Sequence, residues 1–188
     1  MYSASDLRKG LKIEIDGEPW VITEFEFSKP GKGQALYRCK LKNMITGNTM
    51  DKTYRSVEKM GKANLEEREV FYSYPEGDFF VFSDADTYEE YRLSRKVIGD
   101  LAFFLIENAS CKILFFNDRP IEVTLPTFVE KEITETEPGA RGDTATNVTK
   151  PAKIDTGYQI DVPIFLNEGD IVKIDTRTGS YVERVSKA

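Results

Sequence analysis

The sequence predicts a mostly β chain folded as three small β barrels, and three observations carry that prediction. Apolar and polar residues alternate in many short runs. Most of these runs are bounded by Gly, Pro, Asn or Asp and recur at about 8 to 12 residues, the spacing of small barrels. Only one segment of any length has helical periodicity.

In chain order, a short turn of helix is expected over Ser5 to Lys9, followed by strands in LKIEI and EPWVITEFEF. Val21, Thr23, Phe25 and Phe27 alternate with Ile22, Glu24 and Glu26, and QALYRCKLKN alternates again, so the two runs read as a hairpin. Its turn is Lys29, Pro30, Gly31, Lys32 and Gly33. Proline presets φ for a turn corner, and the two glycines can take the positive φ that other residues resist, which puts Lys32 at an apex between two permissive positions with its side chain expected to project outward. Further strands are expected in REVFYSY, DFFVFSD, TYEEYRL, CKILFFN, RPIEVTL, GYQIDVPIFL and DIVKIDT. Val97, Ile98, Leu101, Ala102, Leu105 and Ile106 recur every three or four residues and predict one helix with a packed apolar face, closed by Asn108. Patterning changes near Asn64 and Thr127, which divides the chain into 1–64, 65–127 and 128–188. Each piece is near the lower size limit for independent folding, so contact between neighbours is expected to add stability. The third opens at PTFVEKEITETEPG and carries an exposed loop, ARGDTATNVTKPAK.

Composition excludes several function classes. The chain of 188 residues has no His, which removes the commonest general base, proton shuttle and metal ligand together. Cys39 and Cys111 lie far apart, so neither a redox pair nor a zinc cluster can be written, and two semi-buried thiols in a reducing compartment are expected. No apolar run is long enough to span a membrane and no secretion signal is seen at the amino terminus, so a cytoplasmic location is expected, with no membrane partner. Carboxylate catalysis survives this test, although no compelling acid pair stands out.

Charge is unevenly spread. The three pieces carry net charges of +4, −7 and −3, and between Glu26 and Asp51 there is no acid but Lys29, Lys32, Arg38, Lys40 and Lys42 are all present. A basic stretch on an acidic body suits a protein that meets a polyanion at one end only; a solvated hairpin face is the plainer reading. KPGKG lacks the spacing of a Walker loop, and a Lys in a Pro/Gly turn can serve solubility alone. Its coincidence with the basic stretch favours a cation on a narrow projection able to enter an RNA cavity, with Lys29, Arg38, Lys40 and Lys42 following phosphates at its flanks.

The segments SKPGKGQA, YRCKLKNMITGNTMDKTYRS and ETEPGARGDTATNVTKPAKIDTGYQIDVPIFLNEGDIVKIDTRTGSYVERV resemble bacterial translation elongation factor P over essentially the whole chain. Lys150, Ala152, Gly157, Ile160, Val162, Pro163, Leu166 and Gly169 fill every fixed place of that family's carboxy-terminal signature. The resemblance implies an SH3-like barrel of the KOW type followed by two OB-fold barrels, in an L of tRNA-like outline. It implies a monomer that binds the ribosome between the P and E sites beside the peptidyl-tRNA, with no cofactor and no catalytic residue. Lys32 matches the family's tip residue, which approaches the CCA end and is often extended by a modifying enzyme. Gly142, Asp143 and Thr144 match the loop that approaches the E-site codon region. Tyr181 and Arg184 match the closing TGxYxxRV element, for which an RNA contact and a capped final strand are both open.

The implied chemistry has a physical basis. Consecutive prolines restrict the geometries that a nascent chain and an incoming aminoacyl group can share, so bond formation slows. Clamping the acceptor end lowers the orientational cost without moving a proton, and each ~1.4 kcal/mol gained is about tenfold in rate. Three alternatives compete: the elongation-factor-P-like paralogue, disfavoured by the intact KPGKGQA; a free single-stranded RNA-binding OB protein of cold-shock type, which the core-like alternation of Phe and Tyr disfavours; and a paired-carboxylate enzyme such as a glycosidase.

Overall fold

The computed structural model describes residues 1–139 and 148–188. Strands take 58% of the described residues and helices 7%, in three sheets, so the mostly β class holds. The chain divides into two compact units, Met1–Glu67 with Leu114–Ile121, and Arg68–Ile113 with Glu122–Ala188.

The first sheet holds β1 (Tyr2–Ser3), β2 (Lys12–Ile15), β3 (Glu18–Ser28), β4 (Leu36–Asn43), β5 (Thr49–Arg55) and β6 (Lys59–Lys62) in the order β1-β6-β2-β3-β4-β5. Ala4, Leu7, Leu11, Ile13, Ile22, Cys39, Leu41, Tyr54 and Met60 form its core. Alternation makes this possible: on β4, Cys39, Leu41 and Asn43 point inward while Arg38, Lys40 and Lys42 face solvent. The expected helical turn near the amino terminus is a 3₁₀ turn at Ala4–Asp6, shorter and earlier than 5–9, tied back by the Ser3 amide donating to Asp6 Oδ2 at 2.9 Å.

The second sheet contains β7 (Leu65–Glu76), β8 (Phe79–Asp84), β9 (Glu90–Ser94), β10 (Ser110–Phe116) and β11 (Arg119–Thr124), ordered β11-β10-β7-β8-β9. The predicted long helix between β9 and β10 does not form as one element. It is a single α turn, α1 (Arg95–Ile98), followed by a 3₁₀ segment, Gly99–Phe104. Gly99 sits at φ +59°, outside the helical region, so the hydrogen-bond ladder breaks there while the apolar periodicity on either side still buries Ile98, Ala102, Phe104 and Leu105.

The third sheet contains β12 (Phe128–Thr136), β13 (Thr149–Ile154), β14 (Gln159–Pro163), β15 (Ile171–Asp175) and β16 (Ser180–Ser186), ordered β14-β13-β12-β15-β16. Its buried residues include Val129, Ile133, Ala152, Ile154, Ile160, Val162, Leu166, Val172 and Ile174. No helix among the described residues is long and apolar enough to cross a membrane.

Candidate functional site

The β3–β4 hairpin outruns the core beneath it. Ile22 is fully buried near its root, Phe25 is half-buried, and Phe27 near the end is 52% exposed. The outer stem is braced across the strands instead. Phe27 pairs with Tyr37, their rings 5.0 Å apart, and Phe25 lies diagonally against the same tyrosine at 6.4 Å. The last ladder pair is Ser28 with Leu36. Beyond it the chain closes through a hydrogen bond from the Gly33 amide to the Pro30 carbonyl, 3.1 Å long. Pro30 is therefore the first residue of the turn, and Gly31 and Lys32 are its two central residues.

The permissive φ of the two glycines is not used by this turn. Neither Gly31 nor Gly33 takes positive φ. Nor does either position lack room: a Cβ on Gly33 would make ordinary contact with the Pro30 ring at 3.4 Å, and at Gly31 it would meet nothing within 4 Å. Lys32 is exposed at the end of this turn, and among the described residues no hydrogen bond or ion pair holds it. Lys29 is likewise exposed.

The basic stretch behind the tip looks different in space from its look in sequence. The β3–β4 register sets Glu24 opposite Lys40 and Glu26 opposite Arg38, and β5 sets Asp51 beside Lys40. Lys40 Nζ lies 4.0 Å from Glu24 Oε2. An acid-free run of residues thus becomes a face of alternating sign, with Lys42 between Val21 and Thr49. The cations with no acid opposite them in the ladder are those of the turn, Lys29 and Lys32, and Lys42 at the root.

At the other end of the chain, Tyr181 and Arg184 lie on β16 and are both half-buried. Arg184 is engaged within its own sheet: its guanidinium lies 3.9 Å from buried Asp170 and stacks on Phe165, 5.2 Å from the ring centre. Asp170 also accepts from the amides of Asn167 and Ala188, which ties the chain end to the sheet. Tyr181 borders an open depression with Thr149, Gln159, Asp161 and Ser180, and burial pushes its phenol above the ordinary tyrosine range. Gly142, Asp143 and Thr144 lie outside the described residues. Among the described residues no three acidic or sulfur side chains gather as a metal site.

Comparison with known proteins covers nearly the whole chain. Residues 3–60 match the family model described as Elongation factor P (EF-P) KOW-like domain, residues 65–123 the Elongation factor P (EF-P) OB domain, and residues 121–184 Elongation factor P, C-terminal. The chain belongs to the elongation factor P family. It is 54% identical over 187 residues to Elongation factor P of Desulfosudis oleivorans and 51% identical over 187 residues to that of Desulfotalea psychrophila, covering 100% of both chains in each case. Among solved structures, Eukaryotic translation initiation factor 5A from Methanococcus jannaschii shares the fold over 66% of this chain and 91% of its own, with a TM-score of 0.58 at 21% identity. The relatives are named as translation elongation factors, and such a factor implies the ribosome as partner.

Seen in the fold, the elongation factor P signature at the carboxy terminus consists mainly of core and closure residues. Ala152, Ile160, Val162 and Leu166 are buried, and Gly157 and Gly169 hold φ of +86° and +89°. Lys150, only 7% exposed, donates through Nζ to the carbonyls of Glu137 and Leu166 and so joins β12's end to the segment after β14. A second buried lysine, Lys131, was not singled out by sequence reasoning. The signal was available: Val129, Lys131 and Ile133 occupy consecutive inward positions of an alternating strand, where a lysine is out of pattern.

Proposed function

We propose that this chain is a monomeric translation factor that binds the ribosome between the P and E sites and speeds peptide bond formation at consecutive prolines. The amine of Lys32 steadies the acceptor end of the peptidyl-tRNA, and the ribosome makes the bond. The observation that carries this reading is an exposed ammonium, with no hydrogen bond or ion pair among the described residues, in a hydrogen-bonded turn at the end of a hairpin stiffened by the Phe27–Tyr37 pair. A braced stem lowers the entropy lost when the amine is fixed against RNA. No proton transfer is required, so the reading is non-enzymatic and needs no cofactor.

Lys29 and Lys32 supply the phosphate-facing charge at the tip in this reading. Arg38, Lys40 and Lys42 contribute from the flank, reduced at Arg38 and Lys40 by the glutamates opposite. Gly142, Asp143 and Thr144 approach the E-site codon region. Tyr181 offers an RNA contact from its open depression. Arg184 also sits on that strand, although its pairing with Asp170 favours the role of capping it. Division at Asn64 and Thr127, a lysine-modifying enzyme acting on Lys32 and a cytoplasmic location complete the proposal.

The test is Lys32→Ala in cells whose own factor is deleted, read with a Pro-Pro-Pro reporter. Loss of stall relief with a thermal midpoint equal to the parent's is expected. Normal passage through the reporter by the variant would refute the assigned role.

A further inference from the structure

Lys131 occupies an inward position of β12 and is 6% exposed. A buried ammonium is costly unless its protons find partners. Here Nζ donates to the Leu105 carbonyl at 3.0 Å and lies 3.4 Å from Asp155 Oδ1. Leu105 follows the 3₁₀ segment between β9 and β10, whereas Lys131 lies on β12 of the third sheet and Asp155 in the turn directly after β13, so this bond joins the segment to the sheet. It has company at the same junction. Thr156 Oγ1 donates to the Phe103 carbonyl at 2.8 Å, and the Tyr158 ring lies 5.0 Å from Phe103 and 5.1 Å from Phe104. A Cβ on Gly179, whose φ is +72°, would come within 2.8 Å of the Tyr158 hydroxyl and 3.4 Å of Phe104.

Apolar contacts tolerate sliding by an ångström or two, because one greasy neighbour replaces another. A buried cation aimed at a carbonyl does not, since a small slip leaves the Leu105 carbonyl without its donor and the ammonium with Asp155 as its remaining partner. We propose that Lys131 is a positioning residue that locks the 3₁₀ segment to the third sheet in one orientation, so that the unit Arg68–Ile113 with Glu122–Ala188 docks on RNA as one body. The functional half of this inference rests on the ribosomal role proposed above; the geometric half does not.

The test uses the full chain with Lys131→Met, which keeps length and apolar bulk while removing the donor. Residual dipolar couplings of amides in β8 and β9 and in β12 to β15 should fit one alignment tensor in the parent and require two in the variant. The factor concentration giving half-maximal relief in the Pro-Pro-Pro assay should rise about tenfold, with maximal relief unchanged. Lys131→Arg, which retains a donor, should recover most of both. Should Lys131→Met not fold, Thr156→Val removes the neighbouring bond and is expected to act in the same direction, less strongly. A single tensor with an unchanged half-saturating concentration in the folded variant overturns the proposal. A parent protein that relieves no stalling would sink the ribosomal reading, and the tensors would still decide the lock.

Discussion

Two regions use lysine in opposite ways. Lys32 ends a hairpin in water, with no partner among the described residues, while Lys131 and Lys150 are buried in the third sheet and bonded to main-chain carbonyls. The motif that identifies the family most securely lies in the second region, and its residues close and fill a barrel. The tip is short and weakly distinctive as a sequence, yet it is where a charge is free to act on something else. On the function proposed above, identity and action are therefore carried by different parts of the chain.

The largest effect that would sharpen this contrast is on stability. Lys150→Met removes the donor to the Glu137 carbonyl and strands the buried Leu166 carbonyl, and a loss of about 1–3 kcal/mol is expected in denaturant unfolding, against less than about 0.5 kcal/mol for Lys32→Ala. Equal losses would mean that the buried lysine is not structural. Amine acylation at low reagent ratio, followed by peptide mass spectrometry, gives the next largest difference. Lys32 should be modified in the native protein while Lys131 and Lys150 react only after unfolding, and early labelling of either buried amine would break the comparison.

A pH experiment probes the core under the hairpin. Burial pushes the Tyr54 phenol up to about 12, and among the described residues its hydroxyl has no hydrogen-bond partner. The folded chain thus holds this proton more tightly than the unfolded chain, whose tyrosines ionise near about 10. That contribution to stability is complete below pH ~10 and is lost as pH rises towards 12. Unfolding curves between pH 9 and 12, compared with Tyr54→Phe, should show a steeper decline for the parent; parallel declines would contradict the assignment. The smallest effect is expected at Gly33→Ala. Its φ is not positive and its Cβ would make ordinary contact with Pro30, so stability should change by less than about 0.5 kcal/mol. A large loss would mean that the turn does depend on glycine.

Much of this was legible in the residues, and the gaps have physical causes. Strong alternation made β3 and β4 readable together with the turn between them. Strands β1, β5, β6, β12, β13 and β16 did not stand out, because YS, TMDKTYR and KMGK are polar or short, FVEKEITET is dominated by charged and polar residues, TKPAKI contains proline, and SYVERVS is an edge strand. The helix had the right period, but Gly99 divided it. The basic stretch misled because net charge along a chain ignores cross-strand register, and Glu24, Glu26 and Asp51 arrive from neighbouring strands. Lys131 was missed because a charged residue in a strand is ordinarily assigned to solvent, and only its inward phase distinguishes it.

The most direct measurement is the rate of Pro–Pro bond formation on purified ribosomes at saturating factor, comparing the parent with Lys32→Ala at matched fold stability. The variant is expected still to bind but to lose at least about tenfold in rate, the equivalent of ~1.4 kcal/mol of lost orientation. An unchanged rate would show that the exposed amine is not what the ribosome uses.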